Sequence, residues 1–382
     1  MAFVMPLTFS VWNALLNNFV IDKAQFTGAE IGVLQSLREV PGFLAFTAIF
    51  VLLILREQTL AVVSLSLMSI GVALTGWFPF EIGLYCTTVL MSIGFHYFET
   101  VNQSLTLQWL DKKDSAHFMG KQLAVRGFAS IFAYSMIWIL MEWLNFSYNF
   151  VYMLAGGAGL LICIMVWMIF PKFETPEIQH KHMLMRKRYW LYYALVFFGG
   201  ARRQIFVVFA AFMMVEKFGY SVGEISLLFM INYVFNLLFA PAIGKWISRI
   251  GERKALIFEY TGLVMLFAGY ALVDNGAIAA VLYVIDHLFF AMAIAMKTYF
   301  QKIADPKDIA STSGVSFTIN HIAAVVIPAA LGLIWLSSPV LVFFIGSAFA
   351  FCSLLLALNI PHVPMPGNEV IRNHFRWANQ GA

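Results

Sequence analysis

The sequence predicts an all-α membrane protein whose twelve transmembrane helices form two pseudo-symmetric six-helix bundles. Three observations predict this fold: the composition, a series of long apolar segments and an internal repeat. Of the 382 residues, 61% are hydrophobic and 12% are charged, and the mean hydropathy is +0.81. Soluble domains carry about 25% charged residues. Most of the surface is therefore predicted to face lipid.

Twelve segments are long enough to cross a bilayer, since a spanning helix needs about 20 mostly apolar residues. They cover residues 2–22, 28–54, 59–79, 82–109, 116–142, 147–170, 189–216, 221–247, 254–273, 277–303, 309–336 and 338–358. An even number of spans places both termini on the same side of the membrane.

The distribution of Lys and Arg predicts which side that is. Of the 24 basic residues, sixteen fall in the tail and in the loops on the side of the termini, whereas only Lys23 and Lys217 fall in the opposite loops. Cytoplasmic loops carry an excess of positive charge, so both termini are predicted to be cytoplasmic. Compact loops and short tails lead us to expect a bacterial inner membrane.

The chain divides into two related halves. A polar, basic segment at 171–188 is predicted to be a cytoplasmic linker between bundles at 1–170 and 189–358, and 359–382 is predicted to be a cytoplasmic tail. A constant shift of 194 residues aligns the halves. The pairs that it brings together include Glu30 with Glu224, Asp111 with Asp305, Asp114 with Asp308, Gly120 with Gly314 and Arg126 with Asn320.

The segment GKWISRIGERK at 244–254 resembles the loop signature of the major facilitator superfamily. The matching positions are Gly244, Arg249, Gly251 and Arg253. Ser248 stands where the signature has aspartate, and Glu252 stands where a basic residue is common. The resemblance implies the major facilitator fold, with substrate bound near the midplane between two halves that rock around it. It also implies that this loop helps to hold the halves in the outward-facing state.

Ionisable residues inside the spans mark the candidate site, because each costs about 2.5–3.5 kcal/mol near the bilayer centre. They are Arg38, Glu39, Glu99, Arg126, Arg202, Arg203, Asp286 and Lys297. They must line a wet cavity or pair with one another. The predicted substrate-binding residues are Arg38, Arg126, Arg202, Arg203, Asn232, Asn236 and His321. Five cations against three acids favour an anionic substrate, since Arg binds carboxylate and phosphate in a bidentate manner.

A second set of residues is predicted to carry a coupling proton, because buried carboxyls and histidines exchange protons near neutral pH. These residues are Glu39, His96, Glu99, Asp286 and His287. Several structural interpretations stay open. Arg38 and Glu39 can form an interhelical ion pair, Arg202 and Arg203 can pair with Glu39 or Asp286, and Lys297 can extend to the interface. Sodium is the alternative coupling ion.

Taken with the resemblance, these residues predict a proton-coupled secondary transporter for a small organic anion or a phosphate-bearing metabolite. The alternatives are an efflux pump for amphipathic compounds, which the many Phe and Met residues favour, and a transporter-like sensor or lipid flippase. No enzyme constellation and no phosphate-binding glycine loop is present, and the three cysteines lack metal-ligand spacing. We expect no cofactor, no metal and no nucleic acid, a lipid bilayer as surroundings, and a monomer.

Overall fold

The computed structural model describes residues 1–52, 54–109, 112–169, 185–305 and 308–371, and this part of the chain is helical. Residues 171–184 of the predicted linker and 372–382 of the predicted tail lie outside it. The helices are α1 (Val4–Ala24), α2 (Gly28–Phe43), α3 (Ala48–Leu52), α4 (Glu57–Thr75), α5 (Glu81–Trp109), α6 (Lys112–Trp138), α7 (Tyr148–Ile169), α8 (Trp190–Gln204), α9 (Ala211–Glu216), α10 (Val222–Ile250), α11 (Glu252–Leu272), α12 (Gly276–Phe290), α13 (Ala293–Ile303), α14 (Ile309–Trp335) and α15 (Pro339–Ala357).

Nine helical segments among the described residues are long and apolar enough to cross a membrane. They are Val4–Ala24, Glu57–Thr75, Ala124–Trp143, Tyr148–Ile169, Lys187–Glu216, Glu252–Leu272, Gly276–Ile303, Val315–Trp335 and Pro339–Ala357. These segments confirm the predicted class, an all-α membrane protein. The count of twelve stays a prediction. The three other predicted spans coincide with α2–α3, α5 and α10.

Several predicted spans are interrupted rather than continuous. In the second, α2 contains Pro41 and gives way to a 3₁₀ turn at Ala45–Thr47 before α3. Proline removes a helical hydrogen bond and clashes with the preceding turn. In the seventh, a π-helical segment at Ile205–Ala210 joins α8 to α9. Such segments often accompany functional sites. This one directly follows Arg202 and Arg203.

The described chain forms two compact units. Unit 1 comprises Met1–Ile178, Ala211–Tyr233 and Pro328–Leu333, and unit 2 comprises Gln179–Ala210, Val234–Ile327 and Ile334–Ala382. The six-helix bundles at 1–170 and 189–358 stay a prediction.

Small residues bring the helices of unit 1 close together. In α4, a methyl group added at Gly71 would meet the Met91 backbone nitrogen of α5 at 2.6 Å. In α7, a methyl group added at Gly156 would overlap the backbone of α4 at Ser69 and Ala73. Membrane helices lack a hydrophobic driving force for association and rely on such close packing.

A second close approach in unit 1 joins α2 to the segment Pro328–Leu333. Gly28, Gly32 and Ser36 recur every four residues and so share one face of α2. Methyl groups added at Gly32 and Gly332 would overlap the carbonyl oxygens of Pro328 and Gly28, respectively. The Ala329 amide, one residue after Pro328 within α14, donates to Ser36 Oγ at 2.9 Å. The two backbones are therefore in direct contact.

In unit 2, α11 packs against α15, α12 and α13, and α15 packs against α8. The aromatic rings of Tyr260, Phe267, Tyr270 and Phe343 are almost fully buried between these helices. The first part of the tail also packs here, since the Tyr299 hydroxyl donates to the Glu369 carbonyl oxygen at 2.7 Å. This packing fixes the positions of α8, α11 and α12, which carry Arg202, Glu259 and Asp286, respectively.

Candidate functional site

The first ion pair joins two neighbours on α2. Arg38 Nη2 lies 2.6 Å from Glu39 Oε1, and Arg38 Nε donates to the same oxygen at 3.1 Å. Successive helical residues point about 100° apart, but these side chains are long enough to turn towards each other. Only 9% of the Arg38 side chain and 13% of the Glu39 side chain are exposed. The pair lies within one helix, whereas an interhelical pair was the structural alternative.

The Glu39 carboxylate also faces α5. One of its oxygens and a ring nitrogen of His96 lie within 4.8 Å of each other. The Ser92 hydroxyl, one turn before His96, donates to the Arg38 carbonyl oxygen. Two of the predicted proton-coupling residues, Glu39 and His96, are thus brought together between α2 and α5.

The second ion pair joins α5 to α6. Arg126 Nη2 lies 2.7 Å from Glu99 Oε1, and Arg126 Nη1 lies 3.4 Å from Glu99 Oε2. This is the bidentate arrangement of a guanidinium with a carboxylate. The pair is more open than the pair on α2, since 26% of the Arg126 side chain and 37% of the Glu99 side chain are exposed. Glu99 is therefore both a predicted coupling residue and the partner of a predicted substrate residue.

The third ion pair lies in unit 2. Arg202 Nη2 of α8 is 3.4 Å from Glu259 Oε1 of α11, and Asp286 of α12 lines the same small cavity as Arg202. All three residues are buried, with 9%, 3% and 3% of their surfaces exposed. The expected partners of Arg202 were Glu39 or Asp286. Its ion-pair partner is instead Glu259 of α11.

Arg203 and His287 lie on either side of one aromatic ring. The Arg203 guanidinium is 5.5 Å from the centroid of the Phe290 ring, and the His287 ring meets that ring edge-on at 5.2 Å. Arg203 is exposed, unlike its neighbour Arg202. The two arginines of this predicted pair therefore have different surroundings.

The remaining predicted residues lie on α10, α13 and α14. His321 is buried, and its Nδ1 lies 2.9 Å from the Phe317 carbonyl oxygen, one turn earlier on α14. Asn232 is 2% exposed, and its Oδ1 has no hydrogen-bond partner among the described residues. The side chain of Asn236 lies outside them. Lys297 is exposed on α13.

The loop signature forms the junction between α10 and α11. Gly251 is the single residue between them, with φ of +85°. Glycine adopts this conformation without steric strain. Gly244, Arg249 and Arg253 are at least partly exposed. Glu252, which departs from the signature, is 5% exposed at its side chain and pairs with Lys302 Nζ at 2.7 Å.

A further cluster of charges lies where the predicted linker ends. Asp308, at the start of α14, accepts hydrogen bonds from Arg188 Nη2 at 2.7 Å, the Tyr189 hydroxyl at 3.0 Å and Arg186 Nε at 3.2 Å. Burial alone would raise the pKa of the Asp308 carboxyl, but these hydrogen bonds outweigh it and hold the pKa below its usual range. Asp308 thus fastens the start of α8 to the start of α14.

Sequence reasoning missed the roles of Glu259, Asp308 and the pair Glu252–Lys302. One signal was available for Asp308, because the 194-residue shift aligns it with Asp114. For Glu259 the signal was its isolation as an acid in an apolar span. When Glu259 is counted, the intramembrane balance is five cations against four acids rather than three.

Together, the apolar helices and the buried ion pairs define a polytopic membrane transporter. The chain belongs to the Major Facilitator Superfamily, whose family model matches residues 1–328. It is therefore a secondary transporter and not an enzyme.

Solved structures share this fold. A point mutant of the nucleoside transporter NupG superposes with a TM-score of 0.75 at 15% identity, covering 94% of this chain and 98% of that chain. A bacterial homologue of the human lysosomal transporter Spinster, in an inward-facing and occupied conformation, gives a TM-score of 0.68 at 15% identity and covers 94% of each chain. At this identity the likeness shows the fold alone. No curated protein sequence matches the chain significantly.

Proposed function

We propose that this protein is a proton-coupled secondary transporter of a small organic anion or a phosphate-bearing metabolite. The observation that carries the proposal is the bidentate, partly exposed ion pair between Arg126 and Glu99. A charged pair exposed to lipid in the middle of a span would be unfavourable. Its exposure is therefore best explained by a water-filled cavity that solutes can enter.

This pair offers a direct route to coupling. A substrate carboxylate or phosphate competes with Glu99 for the same two guanidinium N–H groups. Protonation of Glu99 removes its negative charge and weakens its hold on Arg126, so the guanidinium becomes available to the anion. A proton and a singly charged anion then bind together, and the loaded site carries the same net charge as the empty one. Such balanced binding is the condition for joint movement across a low-dielectric barrier.

The ion pairs reduce the number of arginines that are available to bind an anion. Arg38 and Arg202 are buried and paired with Glu39 and Glu259, respectively. A substrate would have to displace these carboxylates from an enclosed environment, where breaking a pair costs about 3–5 kcal/mol. Arg126 is the exchangeable guanidinium, whereas the buried arginines are not available to the substrate.

The orientation of the chain is part of the proposal. The excess of Lys and Arg in one set of loops supports cytoplasmic termini in a bacterial inner membrane. The α10–α11 junction with Arg249 and Arg253 then faces the cytoplasm, and the contact between α2 and Pro328–Leu333 lies near the outer surface. A monomer is the expected state.

The test uses purified protein, first in a thermal-shift screen and then in proteoliposomes with an imposed pH gradient. The screen compares organic anions, phosphorylated metabolites, nucleosides and amphipathic cations. Arg126→Gln and Glu99→Gln are the test variants, and Arg56→Gln is the control, because it removes the same charge from an exposed position between two predicted spans. Losing a charge-assisted hydrogen bond of about 1.5–3 kcal/mol weakens binding roughly 10- to 150-fold.

We expect one class of anion to stabilise the wild-type protein and Arg56→Gln, but not Arg126→Gln. Glu99→Gln should still bind the anion and should lose the dependence of uptake on the pH gradient. NupG is a nucleoside transporter, and stabilisation by an uncharged nucleoside that persists in Arg126→Gln would refute the anion proposal. Stabilisation by amphipathic cations that persists in Arg126→Gln would also refute the anion proposal, and it would favour an efflux pump. Binding without transport would favour a sensor, and transbilayer movement of a labelled phospholipid would favour a flippase.

A further inference from the structure

A buried polar cluster in unit 2 is separate from the Arg126–Glu99 pair. It consists of Arg202 on α8, Glu259 on α11 and Asp286 on α12. Arg202 and Asp286 line a small cavity whose other walls are Arg203, Phe206, Leu263, Phe267, Phe289 and Phe290. The walls are mostly aromatic and supply few polar groups. Three ionisable side chains thus lie in surroundings that stabilise charge poorly.

The hydrogen bonds within the cluster are incomplete. Arg202 pairs with Glu259 through Nη2 and Oε1 at 3.4 Å, whereas Asp286 forms no ion pair within the described part of the chain. One buried atom of each residue also has no hydrogen-bond partner there, namely Arg202 Nη1, Glu259 Oε2 and Asp286 Oδ2. Buried polar atoms are nearly always satisfied. Two acceptors and one donor are therefore left for an occupant that would bind them.

The charge of the cluster indicates what the occupant is. One guanidinium and two carboxylates leave a net charge of −1, and an uncompensated charge in a membrane interior costs at least about 2.5–3.5 kcal/mol. Arg203 also lines the cavity, but its side chain is exposed and its guanidinium lies over the Phe290 ring, outside the buried cluster of three. A sodium ion would need more oxygen ligands than two unpartnered carboxylate atoms, beside a guanidinium that repels it. A proton needs one carboxylate and no added space.

We propose that Asp286, Glu259 and Arg202 form a proton-binding site, with the proton on Asp286 while Arg202 pairs with Glu259. When Asp286 releases its proton, its carboxylate attracts the guanidinium, whose Nη1 is the donor left over. The ion pair between Arg202 and Glu259 is then weakened, and the Glu259 carboxylate becomes the next proton acceptor. The proton passes between two carboxyls, and Arg202 moves between them in the opposite sense.

This inference deepens the proton coupling proposed above by adding a site on the opposite half of the chain. Several other titratable or charged groups face the cluster from the helices packed around it. They are Arg203 on α8, Tyr260 and Tyr270 on α11, and Tyr283 and His287 on α12. The experiment must therefore distinguish a carboxyl proton from a proton on any of these groups.

Infrared difference spectroscopy makes that distinction, because only a protonated carboxylic acid gives a C=O stretch well above the amide bands. Purified protein is exchanged between neutral and alkaline buffer without substrate. We expect the wild-type spectrum to lose a protonated carboxyl band on alkalinisation. Asp286→Asn should lack that band, and Glu81→Gln, which removes an exposed carboxyl outside both proposed sites, should keep it. Arg202→Lys should move the pH at which the band disappears, since a lysine ammonium lacks the planar fork of N–H donors of the guanidinium.

Absence of the band from the wild-type spectrum, or its persistence in Asp286→Asn, would overturn the proposal. Loss of the band only in Glu259→Gln would place the proton on Glu259 and would overturn its assignment to Asp286. Asparagine and glutamine keep the shape of the carboxyls, and elution as a single symmetrical peak verifies folding. The spectrum needs no substrate, so it stands even if no organic anion is transported. Conversely, a transported anion does not by itself support this proton site.

Discussion

Two neighbouring glycines on α7 differ in the space around them, since one is packed tightly against α4 and the other faces open space. This difference can be tested directly. A methyl group added at Gly156 would lie 2.5 Å from the Ala73 backbone nitrogen and 2.6 Å from Ala73 Cβ, and it would overlap the Ser69 carbonyl oxygen. A methyl group added at Gly157 would meet nothing within 4 Å. The variants Gly156→Ala and Gly157→Ala thus differ by one position on one helix.

The expected magnitude follows from that geometry. Alanine at either position gains about 0.5–1 kcal/mol of helix propensity relative to glycine. This gain is common to both variants and cancels in their difference. Ordinary contacts of a Cβ atom begin near 3.4 Å, so α7 must move roughly 1 Å away from α4 to accommodate Gly156→Ala. Overpacking of this kind costs about 1–3 kcal/mol. Gly157→Ala should therefore be the more stable variant by about 1–3 kcal/mol.

The chain supplies its own reporter for this separation. Cys163 lies on α7, two turns after Gly156, and is 2% exposed. In a background with Cys86→Ser and Cys352→Ser, its reaction with a thiol-reactive dye measures opening of the α4–α7 contact during heating. Gly156→Ala should react at a lower temperature than the background protein, and Gly157→Ala at the same or a higher temperature. Equal curves for the two variants would refute the close packing of α7 on α4.

Three further predictions concern contacts nearer the ends of the helices. Gly332→Ala should weaken the contact between α2 and Pro328–Leu333 by about 1–3 kcal/mol. Labelling of a cysteine that replaces Ser36 should then increase. Unchanged labelling would contradict this prediction. Asp308→Asn should lower the melting temperature at neutral pH. Because the hydrogen bonds hold the pKa of Asp308 low, the stability that they add is present above the unfolded pKa of about 3.9 and is lost as pH falls through the folded value. The melting temperature of Asp308→Asn should therefore lie below that of wild type by a constant amount down to about pH 5, and the gap should shrink below about pH 4. A gap that does not change with pH would contradict the role given to the Asp308 carboxylate. Lys302→Met should lower the melting temperature, because it leaves the buried Glu252 carboxylate without its partner. The double variant Lys302→Met with Glu252→Gln should recover part of this loss. A double variant that recovers none of it would contradict the pairing.

Helix positions were predictable because hydropathy is a property of single segments. The span predicted at 338–358 is α15 at Pro339–Ala357, and the span predicted at 147–170 is α7 at Tyr148–Ile169. The interruptions were not predictable in this way. The π-helical segment at Ile205–Ala210 lies in an apolar stretch that reads as one continuous helix. Hydropathy does not register a change from i→i+4 to i→i+5 hydrogen bonding.

Ion-pair partners were harder to predict because they depend on which helices are neighbours. For Arg38 and Glu39 the structural alternative was an interhelical ion pair, but the two neighbours pair with each other on α2. Arg202 and Glu259 are 57 residues apart. Their pairing requires α8 and α11 to approach each other, and nothing in either segment shows that. The net charge of the membrane interior was a sound guide to the existence of pairs, but it did not identify the partners.

Exposure separates the three intramembrane arginine pairs into distinct roles. In the Arg38–Glu39 and Arg202–Glu259 pairs, at most 13% of any side chain is exposed, whereas in the Arg126–Glu99 pair 26% and 37% are exposed. Exchange of a carboxylate for a substrate anion requires water and space, which only the exposed pair has. The buried pairs then differ by their acids. Arg38 has one ion-paired carboxylate in its cluster, but Arg202 shares its cluster with a second carboxyl, Asp286. A guanidinium with one carboxylate is a fixed neutral pair, whereas one with two carboxyls in the same enclosed space needs a proton to be neutral. The roles that we propose for the three arginines, namely substrate exchange, helix attachment and proton binding, therefore follow from their surroundings.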